Sequence, residues 1–192
     1  PGIRAGERNQ EMAENQKTFM LWICEHNLQT FSSSAVTFAT ADNSIAATAI
    51  GTGTFTAGEY ITVSGASEND NNNTFLISTV AAGKLVIASP SVAAESAGAS
   101  VVINEHYYGA WQSTRDFRYL TGTIYTSQAC TLYIDQSRDG VNIDYTDTIA
   151  VGAATYEAWV YDVLVSGYAR MRILNGGTDQ TSVRAILNGQ VN

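Results

Sequence analysis

The apolar positions change their period along the chain, and the changes divide it into three zones. Between Gly6 and Leu28 there is no proline and no internal glycine, and Glu, Gln, Met, Ala, Lys and Leu are frequent. These are strong helix formers. Met12, Phe19, Trp22, Ile23 and Leu28 fall on one broad helical face, which Met20, Leu21 and Cys24 widen. The pattern predicts an N-terminal helical arm over residues 1–34, ended by Ser32, Ser33 and Ser34. A helix apolar around so much of its girth needs a partner surface on more than one side.

From residue 35 the helical period disappears. Short apolar, β-branched runs at 35–40, 60–64, 74–80, 84–88 and 100–104 are separated by explicit turn chemistry. Gly58, the stretch 68–73 (Glu-Asn-Asp-Asn-Asn-Asn) and Ala82-Gly83 supply residues that tolerate left-handed backbone angles. These features predict a small β domain over 35–105. Over 106–192 the strands lengthen, with candidates at 117–125, 130–136, 142–150, 155–166, 169–175 and 182–187. Leu132 and Ile134 share one face of their run, and Arg170 and Arg172 alternate with Ala169, Met171 and Ile173. Such alternation describes a sheet with one dry face and one wet or partner face. Asp139-Gly140 and Asn175-Gly176-Gly177 mark the reversals. The predicted fold class is therefore mainly β: a helical arm, a small β domain and a C-terminal antiparallel β-sandwich or jelly roll.

Composition narrows the function. The chain of 192 residues is 45% hydrophobic and only 15% charged, with net charge −8. A core is affordable, and the surface must be covered by Ser, Thr, Asn, Gln and Gly. The charge is uneven: −1 over 1–34, −5 over 35–105 and −2 over 106–192. A nucleic-acid binder shows a basic patch, because phosphate contacts dominate its affinity. The middle zone has one lysine, Lys84, so no direct nucleic-acid partner is expected, although the six arginines of the last zone leave a local patch open. The apolar run at 19–24 is too short for a signal core or a membrane span. No membrane partner is expected. Cys24 and Cys130 are too few for a disulfide scaffold or a zinc site and read as buried thiols.

Catalytic patterns are absent. There is no nucleophile elbow and no phosphate-binding loop, and neither histidine pairs with a nucleophile at a useful spacing. His26 lies two residues from Cys24, a separation that does not face on a helix. His106 reads as a packed or surface histidine. Asp135, Asp139, Asp144 and Asp147 surround the turn at 136–141, where a hairpin would bring Asp135 and Asp144 together. That group reads first as a hydrated hairpin tip, with a calcium site or a carboxylate pair as alternatives. The same ambiguity holds for the acidic stretch 68–70. No enzyme activity, cofactor or metal is expected. Aromatics crowd two stretches: Tyr107, Tyr108, Trp111, Phe117, Tyr119 and Tyr125, then Tyr156, Trp159, Tyr161 and Tyr168. Core or subunit interface is the first reading of both, and a sugar-stacking platform the second. Phe19, Trp22, Ile23, Tyr107, Tyr108 and Trp111 are the candidate assembly-interface residues.

Two stretches carry a resemblance. Residues 55–65 (Phe-Thr-Ala-Gly-Glu-Tyr-Ile-Thr-Val-Ser-Gly), 72–77 (Asn-Asn-Thr-Phe-Leu-Ile) and 95–103 (Glu-Ser-Ala-Gly-Ala-Ser-Val-Val-Ile) resemble a segment recurrent in tailed-phage structural proteins. Glu59 stands where Asp is usual in that pattern, and Asn73 where Gly is usual. Residues 136–142 (Gln-Ser-Arg-Asp-Gly-Val-Asn) and 168–177 resemble a phage β-sandwich with a Ser-x-Asp-Gly hairpin. The resemblance implies a virion role, as a capsid cement or decoration subunit or as a neck or tail component. It also implies the major capsid protein or other virion subunits as partners, a homo-oligomer with a trimer favoured, and assembly in the host cytoplasm. On that reading residues 1–34 anchor the protein to its neighbours, and removing them should leave a folded β region. A carbohydrate-binding module for host attachment, or a carbohydrate-active enzyme using Asp135, Asp139 or Asp144, are the competing readings.

Overall fold

The computed structural model describes residues 18–191 apart from 26, 52 and 166, with side chains from residue 27 onward. Fifteen strands make two antiparallel sheets, and the only helical element among the described residues is one 3-10 turn, Asn69–Asn71. The strands are β1 (Thr18–Glu25), β2 (Thr30–Ser33), β3 (Thr37–Ala39), β4 (Ser44–Ala46), β5 (Tyr60–Ser64), β6 (Thr74–Ala81), β7 (Lys84–Ser89) and β8 (Val101–Tyr108). They continue with β9 (Gln112–Ser113), β10 (Tyr119–Thr126), β11 (Cys130–Ser137), β12 (Tyr145–Val151), β13 (Thr155–Asp162), β14 (Tyr168–Asn175) and β15 (Val183–Gln190).

The smaller sheet runs β1-β15-β10-β13, and the larger one β12-β11-β14-β8-β5-β6-β7-β4-β3. The predicted β character holds across both sheets, but the N-terminal helical arm does not. Residues 18–25 form β1, with Phe19 opposite Gly189, Trp22 opposite Leu187 and Ile23 opposite Ile186. The physical reason lies in the length of the run. Six consecutive apolar residues suit a buried strand as well as a helix, and spacing alone cannot separate the two. Here β15 offers an edge, and β1 takes it along its whole length with one bulge between Met20 and Trp22. Residues 1–17 lie outside the described residues, so the helix expected there is not addressed.

Buried apolar side chains fall into two clusters. One fills the space between the smaller sheet and β11, β12 and β14, and includes Leu120, Ile124, Leu132, Ile134, Met171, Ile173, Ala185 and Leu187, all 0% exposed. Strands β10, β11, β14 and β15 contribute alternate residues, as a sandwich requires. The other cluster belongs to residues 36–103 and centres on Ile45, Ile61, Phe75, Leu85, Val101 and Ile103. Within the sandwich, Gly122 on β10 stands opposite Trp159 on β13, and the indole lies where a Cβ would be. A larger residue at 122 would collide with that ring and with the Ile186 carbonyl.

Strand β8 joins the two clusters. Its residues 101–104 pair with β2 on one edge, and residues 106–108 pair with β14 on that same edge. Its other edge is covered by β5 over residues 102–106. Val101 and Ile103 enter one core, and Tyr107 packs on the other. Between them sits Glu105, 1% exposed, whose carboxylate accepts the Gln29 amide at 2.9 Å. Where β2 and β14 meet end to end, Asn175 Nδ2 donates to Thr30 Oγ1 at 2.7 Å, and Asp179 accepts the Thr30 amide at 2.7 Å. Gln180 closes the corner by donating to the Gln128 carbonyl and to Asn175 Oδ1.

Residues 18–34 therefore do not behave as a detachable arm. They contain β1, β2 and Leu28, a fully buried member of the sandwich core. Deleting them should abolish the cooperative thermal transition. Leu28→Ala alone should cost about 2–5 kcal/mol, and Gly122→Ala about 1–3 kcal/mol, in chemical denaturation.

Candidate functional site

On the face of the larger sheet that points away from the sandwich core, β14 presents Arg170 and Arg172. The register sets Asp135 on β11 opposite Arg170, Tyr133 opposite Arg172, and Tyr108 on β8 opposite Arg172 from the other side. The strands thus deliver two guanidiniums, one carboxylate and several rings to one patch. Asp135 is fully buried despite its outward register. It accepts Arg172 Nη2 at 2.9 Å through Oδ1 and Arg172 Nε at 2.5 Å through Oδ2. Thr146 Oγ1 donates to Oδ1 at 2.8 Å, and Arg170 Nε to Oδ2 at 3.0 Å. Burial opposes ionisation of Asp135, but the hydrogen bonds and charge of Arg172, helped by Thr146 and Arg170, outweigh it and hold the carboxyl below its ordinary range.

Aromatic rings form the walls. The Arg170 guanidinium carbon lies 4.3 Å from the Trp111 ring centre and 5.1 Å from that of Tyr108. Arg172 lies 4.6 Å from the Tyr133 ring centre and 5.4 Å from Tyr108. Partly desolvated cation–ring contacts of this kind are each worth about 0.5–2 kcal/mol. Tyr60 extends the stack, its ring 4.2 Å from Tyr108.

His106 completes the cluster and connects it to the other half of the sheet. Its Nδ1 is 3.1 Å from Thr62 Oγ1 on β5, and its Nε2 is 3.5 Å from Arg172 Nη1. A guanidinium only donates, so Nε2 is the lone-pair nitrogen and Nδ1 carries the hydrogen toward Thr62. Burial, reinforced by the positive charge of Arg172, lowers the His106 pKa to about 4, so the ring is neutral at pH 7.

The acidic hairpin resolves differently from a carboxylate pair. Thr146, not Asp144, stands opposite Asp135. Asp139 organises the turn: its Oδ1 accepts the amides of Val141 and Asn142, each at 2.8 Å, and its Oδ2 accepts Asn142 Nδ2 at 2.8 Å. Those donors hold its pKa well below the ordinary carboxylate value. Asp144 accepts both the amide and the guanidinium of Arg138, and Asp147 accepts the Tyr145 hydroxyl. Asp139 and Asp144 thus brace the turn, while Asp135 and Asp147 serve other partners. Among the described residues no three His, Cys, Asp or Glu side chains come together as metal ligands. Cys130 is a buried free thiol whose pKa burial raises to about 11.

Of the six candidate interface residues, the structure brings Tyr108 and Trp111 together at Arg170. Tyr107 points from the opposite face of β8 into the sandwich core. Phe19, Trp22 and Ile23 lie on β1, and their side chains fall outside those described. Sequence reasoning missed the meeting of Asp135 with Arg170 and Arg172. The available signal was a single acid directly after the Leu-Tyr-Ile run of one strand, together with an Arg-x-Arg alternation on another.

The fold and this patch define a two-sheet antiparallel β protein with a buried ion cluster on an outer sheet face. Residues 109–189 match the family model described as the N-terminal domain of the uncharacterised protein YqxG. No curated protein matches the chain. The matched stretch contains Asp135, Arg170, Arg172 and Trp111, whereas His106, Tyr108 and Thr62 precede it. The ionic half of the cluster therefore comes from the matched region and the histidine half from strands of the same sheet that precede it in the chain.

Asp135→Ala leaves two arginines against no carboxylate and should destabilise the protein by about 3–5 kcal/mol. His106 generates a pH dependence with a definite sign. Its folded pKa of about 4 lies below the unfolded value of about 6.5, so the unfolded state binds more protons between them. Stability should fall by up to about 3 kcal/mol as pH drops from 6.5 to 4. In urea titrations across that window, His106→Gln should flatten this limb.

Proposed function

We propose that this chain is a non-enzymatic structural component of a tailed-phage virion that binds and stabilises the head shell as a capsid cement or decoration subunit. The observation that carries the reading is the outer face of the smaller sheet at its β13 edge. Tyr156 is 76% exposed and Val160 66% exposed there, on a strand with hydrogen-bonded neighbours on one side only. An apolar edge strand of eight residues invites pairing or cover from another subunit. The ionisable groups of the opposite sheet support a structural role too, since Asp135 and Arg172 satisfy each other rather than facing a substrate cleft. The phage resemblance of residues 50–190 supplies the virion context.

A neck or tail position fits the same surfaces. The carbohydrate-binding alternative rests on one feature, the pair of Tyr125 and exposed Tyr156, with ring centres 4.6 Å apart. The rings around Arg170 and Arg172 favour it less, because each is stacked on a guanidinium.

The test is co-expression with the head-forming proteins of the encoding phage, followed by gradient sedimentation. The chain should sediment with heads in stoichiometric amount, and heads lacking it should open at lower temperature. Tyr156→Ser with Val160→Ser should lower head occupancy at least about tenfold while leaving the melting temperature nearly unchanged. Sedimentation with tails alone would move the assignment to the neck or tail. Absence from particles, with saccharide binding lost in the Tyr156 variant, would replace it by the attachment module.

A further inference from the structure

Asp135 is almost wholly committed to Arg172, which takes both of its oxygens, while Arg170 shares one oxygen through Nε alone. Two guanidiniums on one carboxylate leave a surplus positive charge, and neutral His106 does nothing to offset it. The Arg170 side chain is only 16% exposed, yet neither Nη nitrogen has a hydrogen-bond acceptor among the described residues. That edge opens to solvent, where an acceptor from outside can take the place of water. The planar Nη edge, beside the rings of Trp111 and Tyr108, fits a carboxylate.

The chain itself presents such a group. The turn between β5 and β6 exposes Glu68 and Asp70, and neither side chain has a partner among the described residues. This turn is braced from beneath. Glu95 accepts the amides of Ser67 and Glu68 at 2.7 and 3.2 Å, and fully buried Asn71 exchanges hydrogen bonds with Ala93. Residues 35–105 carry −5, the most acidic part of the chain. The turn cannot reach Arg170 of its own chain along the shared sheet. Ser64 pairs with Val102, whereas Arg172 pairs with Tyr108, and six residues of β8 span about 20 Å.

We propose that the Arg170 face receives the Glu68–Asp70 turn of a second copy of this chain. The contact is head-to-tail, so each copy offers one acidic turn and one arginine face, and repetition gives a ring or a string according to the rotation per step. It extends the virion reading by naming a self-contact, but it is tested in solution, where heads are not needed.

The experiment is light scattering on a sizing column over a concentration series at low and high salt, with the full chain, Glu68→Lys/Asp70→Lys and Arg170→Gln. The wild type should associate, less so at high salt, and each variant should weaken association at least about tenfold. Circular dichroism and melting identify any variant that fails to fold. The acidic-turn variant changes only exposed side chains and keeps the test valid if Arg170→Gln does fail. Mixing the two variants restores one intact turn and one intact face, so heterodimers should form and stop there. A wild type that stays monomeric, or variants that associate like the wild type, would overturn the proposal, as would a mixture behaving as its parents. A monomer whose tryptophan fluorescence shifts with glucuronate, and does not in Arg170→Gln, would assign the face to an acidic saccharide instead. Heads decorated normally by the Arg170→Gln protein would remove this contact and leave the virion assignment standing.

Discussion

Strand β8 has to serve two hydrophobic cores with one stretch of backbone, and much of the architecture follows from how it does so. Its inward side chains fill the core of residues 36–103 at one end and touch the sandwich core at the other. A strand edge can be hydrogen-bonded by only one neighbour at a time, so β2 must end where β14 begins. At that seam the ladder is interrupted, and buried backbone groups would be orphaned without substitutes. Glu105, Asn175, Asp179 and Gln180 supply them, which explains why polar side chains sit at the buried positions 105, 175 and 180.

The outer face of the same sheet shows the complementary problem. Asp135 is placed by alternation on the side away from the core, yet it is fully buried, because two arginines and their aromatic neighbours close over it. A buried ion pair is weak evidence of net stability, since desolvation offsets much of the attraction. Its more secure consequence is geometric. Arg172 bridges β11, β14 and His106, and His106 in turn reaches Thr62, so one polar chain runs across the boundary between the matched region and the strands β8 and β5 beside it in the same sheet. The cluster fixes how those two parts meet, and the asymmetry of its sharing leaves Arg170 as the group turned outward.

Parts of this were legible in the residues. The alternation of Ala169, Met171 and Ile173 with Arg170 and Arg172 gave the two faces of β14, and the Asp139-Gly140 turn gave the hairpin. Asp135 was legible as an unusual carboxylate but not as a clamped one. Its partners lie 35 and 37 positions away, and no local period encodes a cross-strand register. The run containing Phe19, Trp22 and Ile23 misled for a related reason. Its composition tolerates helix and strand, and the choice was made by β15, a strand at the far end of the chain.

By itself, then, the sequence determined the β class, the position of most turns, the inner faces of β11 and β14 and the uneven distribution of charge. Those properties depend on residues within a few positions of one another, where steric preference and alternation act directly. Only the tertiary structure decided that residues 18–25 complete a sheet, that β8 is shared between two cores, and that Asp135 closes on Arg172 while Arg170 keeps an open edge. Each of those is a pairing between distant segments. It is settled by which unsatisfied edge or charge is available once the rest of the chain has folded, and the local sequence carries no record of that.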